Sequence, residues 1–263
     1  NLFRFTKKNF TAKVEPPISF LNKYEKLKSS KHYMENFFPR KVNNKSDLNQ
    51  FLDISLLSPT LSFSDKEANN SITAGVLNPC WELLDRSGKM WRPILGLYLG
   101  EAFNNNYIIN EKLTIQLLFL IEVLHNATLI VDDVVDKSEL RRGKPCVHLL
   151  YDEGVTLNAG IGMHFIPFLS FLQRLIKQNK ANMEDLHFVK SLNNLYLSFI
   201  EEMSTVQIGQ TMDTEMKYTR IPEEKTYCDI VLCKTGVFPR LIVKWMFSIL
   251  KIEGEPEYIN SLR

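Results

Sequence analysis

"LTIQLLFLIEVLHNATLIVDDVVD", residues 113–136, opens with the most apolar run of the chain, residues 113–131. The run belongs to the segment 111–136, whose apolar residues at helical spacing predict a long buried helix. It is long enough to cross a bilayer, but Gln116, Glu122 and His125 interrupt it, and we therefore interpret it as a core helix rather than a transmembrane segment. Leu, Ile, Phe and Met also recur at helical spacing in residues 82–103, 161–178, 184–217 and 224–251. The pattern predicts an all-α fold, a single-domain bundle of long, mostly antiparallel helices around a central cavity.

Length and composition bound the domain organisation. The 263 residues are 44% hydrophobic, enough for one sizeable core, and a net charge of +2 gives no reason to expect a nucleic-acid partner. The charge is uneven, because residues 1–50 hold 11 basic and 4 acidic residues whereas the remainder holds 21 and 26. We therefore expect a basic, partly flexible N-terminal extension over residues 1–50 and an all-helical domain over residues 51–263.

The cysteines and the first residues bear on the compartment. The four cysteines form no CxxC pair, which predicts reduced, structural thiols rather than disulfides or a zinc site. The opening NLFRFTKKNFTAK has no acidic residue, as is typical of organelle-targeting segments. The sequence leaves the compartment open between the cytoplasm and an organelle, either mitochondrion or plastid.

Three aspartates close the apolar stretch. Asp132, Asp133 and Asp136 follow an i, i+1, i+4 pattern, which places carboxylates along one edge of a helix. A lone DDxxD is usually an exposed helix face, but here apolar residues precede and fill it. Mg²⁺ takes oxygen ligands and is usually held by one or two carboxylates together with substrate phosphates. The pattern therefore predicts a Mg²⁺ site.

Basic residues lie close to the aspartates in sequence. His125 is two helical turns before Asp132 on the same face, where a role in a site and burial as a core histidine are about equally expected. Arg141 and Arg142 follow in RRGKP, and paired guanidiniums beside a metal-binding edge suit a diphosphate.

Two further basic groups occur elsewhere in the chain. SGKMWRP holds Lys89 and Arg92 before the first turn of a helix, a position that attracts phosphate, and CKTG holds Lys234 and Thr235. Together the basic groups supply cation partners for two phosphorylated ligands.

Four motifs resemble those of the trans-isoprenyl diphosphate synthases, the polyprenyl synthetase family. They are GKMWRP (88–93), EVLHNATLIVDDVVDKSELRRGKPCVH (122–148), GQTMD (209–213) and KTGVFPRL (234–241), in the family's order and spacing. LHNATLIVDD and KTG look closest to geranylgeranyl and longer-chain members. The resemblance implies an isoprenoid synthase fold and a prenyltransferase that condenses isopentenyl diphosphate with an allylic diphosphate to give geranylgeranyl or longer all-trans polyprenyl diphosphate. It also implies a homodimer, with a heteromer as the alternative.

The resemblance implies a role for each matching residue. The aspartates would hold the two or three Mg²⁺ ions that bridge to the allylic diphosphate, and these are Asp132, Asp133 and Asp136. Arg141 would contact the same diphosphate. The isopentenyl diphosphate would be bound by the basic set Lys89, Arg92, His125 and Arg142. The allylic side near the developing cation would be lined by Lys234, Thr235 and Gln210, so that the catalytic set is Asp132, Asp133 and Lys234.

Product length is predicted from the same helix. Ala127 and Thr128 lie five and four residues before Asp132, roughly 6–8 Å deeper along the helix axis. Small side chains there would leave an apolar tunnel open, and the product should exceed farnesyl length. Alternatively, both residues only pack a neighbouring helix, and the tunnel is closed by Met163, Phe165 or Phe168. We expect geranylgeranyl diphosphate first and a longer chain second.

The sequence departs from the family pattern at its ends. Family members carry a second aspartate-rich motif on a later helix, which is absent up to Arg263, and the first residue is Asn1. We therefore expect a C-terminally incomplete synthase domain, whose independent activity is uncertain. One alternative is a non-catalytic or regulatory subunit of a heteromeric synthase. A terpene cyclase that shares only DDxxD fits less well, because the basic residues of GKMWRP would have no second diphosphate to bind.

Overall fold

The computed structural model of the protein describes residues 18–53, 65–86, 88–103, 111–219 and 223–250. These ranges form a helical bundle with one short hairpin, which confirms the predicted all-α fold. The α-helices are, in chain order, α1 (Ile18–Ser29), α2 (Lys45–Phe51), α3 (Asp65–Ile72), α4 (Asn78–Leu84), α5 (Trp91–Phe103), α6 (Glu111–Val135), α7 (Val147–Leu150), α8 (Glu153–Gln178), α9 (Leu186–Thr219), α10 (Glu224–Lys234) and α11 (Val237–Leu250). Short 3₁₀-helices span Lys31–Asn36 and Lys180–Asn182, a π-helical turn spans Thr73–Leu77, and strands β1 (Leu140–Arg141) and β2 (Lys144–Pro145) form the hairpin.

Helix α6 is the central element of the bundle and contacts α4, α5, α8 and α11. Two glycines let its neighbours approach closely. A Cβ atom on Gly96 of α5 would lie 2.1 Å from Leu118 Cδ2, and one on Gly160 of α8 would lie 2.9 Å from Val131 Cγ2. The helix predicted from the apolar stretch is thus the core helix onto which the others pack.

Two helices are long and apolar enough to cross a membrane by length and composition, Glu111–Val135 and Glu153–Gln178. In the first of them, 72% of the most apolar window is buried inside the bundle. Burial of this kind is what the core helix of a globular bundle requires, and it agrees with the interpretation of residues 113–136 as core.

Two of the predicted helical segments are broken. Residues 82–103 divide into α4 and α5, and residues 224–251 divide into α10 and α11 at Thr235 and Gly236. A Cβ atom on Gly236 would lie 2.8 Å from the carbonyl oxygen of Leu232, so this turn requires glycine. Both breaks carry basic motifs, and each positions a lysine or arginine that is discussed below.

The N-terminal region differs from the expectation of a flexible extension in the part that the structure describes. Leu27, Phe38 and Leu48 are completely or almost completely buried in the common core. Arg40 forms two hydrogen bonds with Asp85, at 2.8 and 2.9 Å, and stacks over the Trp81 ring at 4.0 Å. Residues 18–53 are therefore a packed layer of the bundle, because their basic side chains alternate with apolar ones that the core takes up. Residues 1–17 lie outside the described part.

Candidate active site

The aspartates lie at the C-terminal end of α6, where the helix stops in a left-handed turn. Lys137 has a φ angle of 51°. The backbone N–H of Lys137 donates to the carbonyl oxygen of Val134 at 3.1 Å, and the backbone N–H of Ser138 donates to the carbonyl oxygen of Asp133 at 2.9 Å. This bonding pattern is a Schellman cap. Since a helix C-terminus carries partial negative charge, carboxylates placed there need cationic partners.

Asp133 has its partner within the protein. Its side chain is 2% exposed and accepts hydrogen bonds from Arg141, whose Nε lies 2.9 Å from Oδ1 and 3.1 Å from Oδ2 and whose Nη2 also contacts Oδ1. The hydrogen bond to Asp133 raises the pKa of Arg141 above its ordinary value. The predicted trio is thus divided: Arg141 occupies both oxygens of Asp133, whereas Asp132 and Asp136 stand one turn apart along the outer edge.

A hairpin that the sequence did not reveal positions both arginines. Strands β1 and β2 pair Leu140 with Pro145 and Arg141 with Lys144. The two turn residues, Arg142 and Gly143, have φ of 54° and 76°, as a two-residue type I′ turn requires. Arg141 therefore reaches back to Asp133, while the Arg142 guanidinium donates to the carbonyl of Leu83 at 3.3 Å.

Lys234 connects the end of α6 with α9. Its Nζ donates to Asp132 Oδ1 at 2.9 Å and to Asp213 Oδ2 at 2.7 Å, and Gln210 Nε2 donates to the same Asp132 oxygen at 3.1 Å. Burial lowers the pKa of Lys234, but the hydrogen bonds to Asp213 and Asp132 more than offset it, and the net pKa is raised. Thr235, which was predicted beside Lys234, is exposed at the C-cap of α10. We call Asp132, Gln210, Asp213 and Lys234 the lysine cluster.

Asp213 was not predicted as a site residue. It lies three residues after Gln210 in GQTMD, which puts the two side chains on one helix face. That spacing was the available signal.

The lysine cluster depends on a close approach of α9 and α10. A Cβ atom on Gly209 would lie 2.8 Å from both Cys233 Cβ and the backbone nitrogen of Lys234. Only glycine fits at this distance without a shift of one helix. Gly209 thus allows the last turn of α10 to bring Lys234 within reach of Asp132.

A cavity of about 790 Å³ lies beside the aspartate end of α6. Cationic side chains from two separate segments line it, namely Lys89, Arg92, Arg141 and Arg142. The Arg92 guanidinium lies over the rings of Trp91, at 4.6 Å, and Phe238, at 5.5 Å, and its buried Nε has no hydrogen-bond partner. A buried guanidinium N–H without a protein acceptor is uncommon in proteins, so Arg92 Nε is available to a water molecule or to a ligand oxygen in the cavity.

Glu122 is a second site residue that the sequence analysis did not select. Its side chain lines the cavity, is 5% exposed and accepts a hydrogen bond from Asn126 Nδ2 at 3.3 Å. Burial raises the pKa of Glu122, and the nearby charges of Arg92 and Arg142 oppose the rise. The signal was a lone acid inside an apolar run, one turn before His125 on a helix.

His125 also lines the cavity, packed edge-to-face on Phe238 with ring centroids 5.4 Å apart. Burial lowers the pKa of its imidazole to about 3, and the charges of Arg92, Arg142 and Arg141 add to the effect. The imidazole is therefore neutral at physiological pH, and it can offer one N–H donor to a ligand oxygen.

The low pKa of His125 predicts a pH-dependent stability. The unfolded chain protonates this residue near pH 6.5 and the folded chain near pH 3, so the unfolded state binds more protons between these values. The free energy of unfolding should therefore fall as pH drops from 6.5 towards 3, by at most ~1.4 kcal/mol per pH unit. Urea titrations of the wild type and His125→Gln measure this, and the wild type should show the steeper loss. Parallel profiles for the two proteins would contradict the account.

The residues predicted to set product length do not line the cavity. Ala127 is fully buried, and Thr128 is partly exposed and returns its hydroxyl to the carbonyl of His125 at 2.7 Å. Their assigned role stays a prediction.

The described residues include no group of three or more His, Cys, Asp and Glu side chains arranged to hold a metal ion. Mg²⁺ is normally bound through one or two carboxylates with substrate phosphates completing its shell, so a closed protein cage is not required. Asp132 and Asp136, one helical turn apart, fit that mode. Lys234 supplies the positive charge beside Asp132 in the structure as it stands.

Known proteins are similar to this chain over the residues that form the candidate site. A sequence model of a family described as polyprenyl synthetase matches residues 74–262. A geranylgeranyl pyrophosphate synthase of Eremothecium gossypii is 32% identical over 172 residues, which are 65% of this chain and 50% of that protein. A sesterterpene synthase of Colletotrichum orbiculare is 31% identical over 163 residues, which are 62% of this chain and 21% of that protein. The chain thus spans only about a fifth to a half of the length of these two relatives.

Solved structures share the fold. The crystal structure of a geranylgeranyl pyrophosphate synthase has a TM-score of 0.59 at 23% identity and covers 84% of this chain and 59% of that chain. A geranyltranstransferase of Thermotoga maritima has a TM-score of 0.58 at 20% identity, covering 92% of this chain and 71% of that chain. At these identities the likeness is one of fold, and it agrees with the predicted helical bundle.

Proposed function

Since the chain belongs to the polyprenyl synthetase family, we propose that the protein is a prenyltransferase that condenses isopentenyl diphosphate with an allylic diphosphate. The product is an all-trans polyprenyl diphosphate, and one diphosphate is released in each condensation. One observation carries the proposal: the end of α6 has the lysine cluster at Asp132 and a cation-lined cavity beside it. The lysine cluster and the cationic lining of the cavity place positive charge at two neighbouring positions. This arrangement suits a reaction between two diphosphate esters, one of which loses its diphosphate.

The cavity suits the isopentenyl diphosphate. Lys89, Arg92 and Arg142 would bind the head group, because guanidiniums bind phosphate oxygens bidentately and Arg92 Nε has no acceptor within the protein. Neutral His125 would donate one further hydrogen bond. Glu122 would keep the two guanidiniums in place by its opposite charge, since its side chain lines the same cavity.

The outer edge of α6 suits the allylic diphosphate. Asp132 and Asp136 would hold Mg²⁺, which when bound stabilises the charge on the departing diphosphate. Asp133 would take part through Arg141, which it fixes beside the cavity. Lys234, Gln210 and Thr235 would line the side on which positive charge develops.

The chain's own residues account for the remaining steps. The bond between the allylic carbon and oxygen breaks, and the electron pair leaves with the diphosphate, towards the positive groups around Asp132. The double bond of the isopentenyl group then attacks the allylic cation, and the resulting cation loses a proton to the released diphosphate, which restores a double bond. The protein provides no nucleophile in this scheme. Its residues bind, orient and balance charge.

The test of the proposed function is incorporation of labelled isopentenyl diphosphate, in the presence of Mg²⁺ and an allylic diphosphate, by the protein expressed from its natural coding sequence. The label should appear in a longer prenyl diphosphate. A terpene cyclase is the second candidate, because the relatives include a protein named sesterterpene synthase and another named sesterfisherol synthase. A cyclase alone would convert the allylic diphosphate and leave the isopentenyl label unused.

The length of the product is part of the proposal, with geranylgeranyl diphosphate first. In the buried core that also contains Ala127, three aromatic rings from α8, α9 and α11 pack on one another. Phe168 stacks on Phe199 at 3.9 Å and lies parallel to Trp245 at 5.7 Å. Trp245 Nε1 donates to the carbonyl of Leu195, which lines a second cavity of about 460 Å³ near the start of α6. We infer that this aromatic stack, rather than exposed Phe165, is the floor of the hydrocarbon tunnel.

A larger side chain at Ala127 and a smaller one at Phe168 should change product length in opposite directions. Ala127→Phe should shorten the product, because a ring at a fully buried position fills the tunnel. Phe168→Ala should lengthen it by joining the tunnel to the second cavity. Chromatography of dephosphorylated products measures both, with Phe165→Ala, at a 56% exposed position, as the unchanged control. Identical product lengths in all three variants would contradict the tunnel.

A homodimer is also proposed. Helix α9 carries large apolar side chains at 37–63% exposure along one stripe, namely Leu186, Val189, Leu197, Ile200 and Ile208. Apolar side chains that share one face of a surface helix favour a protein partner over water. A second copy of the chain, as implied by the family resemblance, is the occupant we infer.

A further inference from the structure

Part of the apolar lining of the cation-lined cavity comes from a helix outside the residues that the family model matches. Helix α1 contributes three of the lining residues, Phe20, Leu21 and Tyr24. The polyprenyl synthetase match begins only at residue 74, so α1 belongs to the part of the chain that the match does not cover. Neither the motifs nor the comparisons assign a role to this helix.

The opposite side of α1 is fastened to α5. Lys23 Nζ lies 2.7 Å from Glu101 Oε1 and 4.3 Å above the Tyr98 ring, and Ser19 Oγ lies 3.0 Å from the Tyr98 hydroxyl. Leu27, at the end of the helix, is fully buried. These contacts fix the helix so that one face binds α5 and another borders the cavity.

Most of the lining residues belong to two chemical groups. One group is cationic and includes Arg92. The other group is apolar and consists of Phe20, Leu21, Tyr24, Met90, Trp91 and Leu129. Leu21 is 44% exposed, although leucine in a packed helix is usually buried. A cavity with one cationic and one apolar group of residues suits a ligand that has an anionic head and a short hydrocarbon tail.

We propose that α1 is a wall of the substrate site, in which Phe20, Leu21 and Tyr24 pack against the hydrocarbon of the short diphosphate whose head group Arg92 and its neighbours bind. This inference rests on the proposed function, because it takes isopentenyl diphosphate as the ligand of the cavity. It adds that the helix discriminates the isopentenyl ester from diphosphate alone. Apolar contact supplies that discrimination, since the two ligands share the same head group.

Two ligands separate the contribution of α1 to binding affinity from that of the cationic side chains, because only one of them carries a hydrocarbon group. Isothermal titration of the protein expressed from its natural coding sequence, with isopentenyl diphosphate and with inorganic diphosphate, measures the two dissociation constants. In the double variant Leu21→Ala with Tyr24→Ala, the constant for isopentenyl diphosphate should rise at least about tenfold, because small changes in an apolar pocket have effects of that order. The constant for inorganic diphosphate should change less than about twofold, which also shows that the variant is folded.

Ile18→Ala is the matched control, because Ile18 is on the same helix, 78% exposed, and does not line the cavity. It should leave both constants unchanged. The docking of α1 is tested by charge exchange. Lys23→Glu should weaken isopentenyl diphosphate binding, and Lys23→Glu combined with Glu101→Lys should restore it by re-forming the ion pair.

Three results would overturn the inference. Equal weakening for both ligands in the double variant would mean that α1 supports the fold or the charges only, and no change for either would mean that the wall does not touch the ligand. A wild-type chain that binds isopentenyl diphosphate no better than inorganic diphosphate would also remove the wall, while leaving the diphosphate site intact. A wild-type chain that binds neither ligand would instead overturn the proposed function, and the inference with it.

Discussion

Replacing Asp132 with asparagine is expected to lower kcat/KM by about 10³-fold, or ~4 kcal/mol of transition-state stabilisation. Asp132 is the carboxylate at which the proposed Mg²⁺ site and the lysine cluster meet, since it accepts from both Lys234 and Gln210. Asparagine keeps the shape of the side chain but removes the charge that holds a divalent cation. The rate of label incorporation from isopentenyl diphosphate measures the loss.

Stability should change little in the same variant. The Asp132 side chain is 18% exposed and that of Lys234 is 27% exposed, and Lys234 keeps its second partner, Asp213. A partly solvated ion pair contributes at most ~1 kcal/mol. Asp229→Asn, an exposed aspartate on α10, is the control and should retain wild-type turnover. Turnover of Asp132→Asn within threefold of the wild type would exclude this carboxylate from the reaction.

Replacing Gly209 with alanine should reduce both stability and turnover. The added Cβ would lie 2.8 Å from the backbone nitrogen of Lys234, so α9 and α10 must separate. Overpacking of this kind costs ~1–3 kcal/mol in the free energy of unfolding. A displacement of Lys234 by about 1 Å should lower kcat about 100-fold, because catalytic groups tolerate little misplacement.

Gly162→Ala is the matched control for this prediction. Gly162 is also helical, but its nearest neighbours would lie 3.4 and 3.7 Å from an added Cβ, which is ordinary contact. Alanine there should leave turnover unchanged and stabilise the helix by up to ~1 kcal/mol. Denaturant titration and product assays compare the two variants. If Gly209→Ala matched the control in both measurements, the close approach of α9 and α10 would not be what positions Lys234.

The sequence predicted the central helix well, because its signal is local. The apolar stretch 113–136 and the observed helix Glu111–Val135 agree within two residues at each end. The hairpin at Leu140–Pro145 was not predicted, since two-residue strands are too short to show alternation. The break at Thr235 and Gly236 was also missed, because apolar residues continue at helical spacing on both sides of it and spacing does not mark where a helix ends. The helix start at SGKMWRP was predicted, since the sequence places Lys89 and Arg92 before the first turn of a helix.

The candidate site was predicted in its residue types more than in its pairings. Asp132 and Asp133 are adjacent in sequence, yet one accepts from Lys234 and the other from Arg141. That division depends on the hairpin and on the approach of α10, which are tertiary features. Glu122 was passed over for the same reason, because nothing in the sequence shows that Arg92 and Arg142 come to lie beside it. The role inferred for α1 likewise depends on packing across the bundle.

The account claims, above all, that two diphosphates react at the aspartate end of α6. The most direct test is to supply isopentenyl diphosphate carrying a carbon label, together with farnesyl diphosphate and Mg²⁺, to the protein expressed from its natural coding sequence. The account predicts label in a prenyl diphosphate longer than farnesyl, with one diphosphate released for each label incorporated. Release of diphosphate from the farnesyl substrate into an unlabelled hydrocarbon, with the isopentenyl label unused, would contradict it.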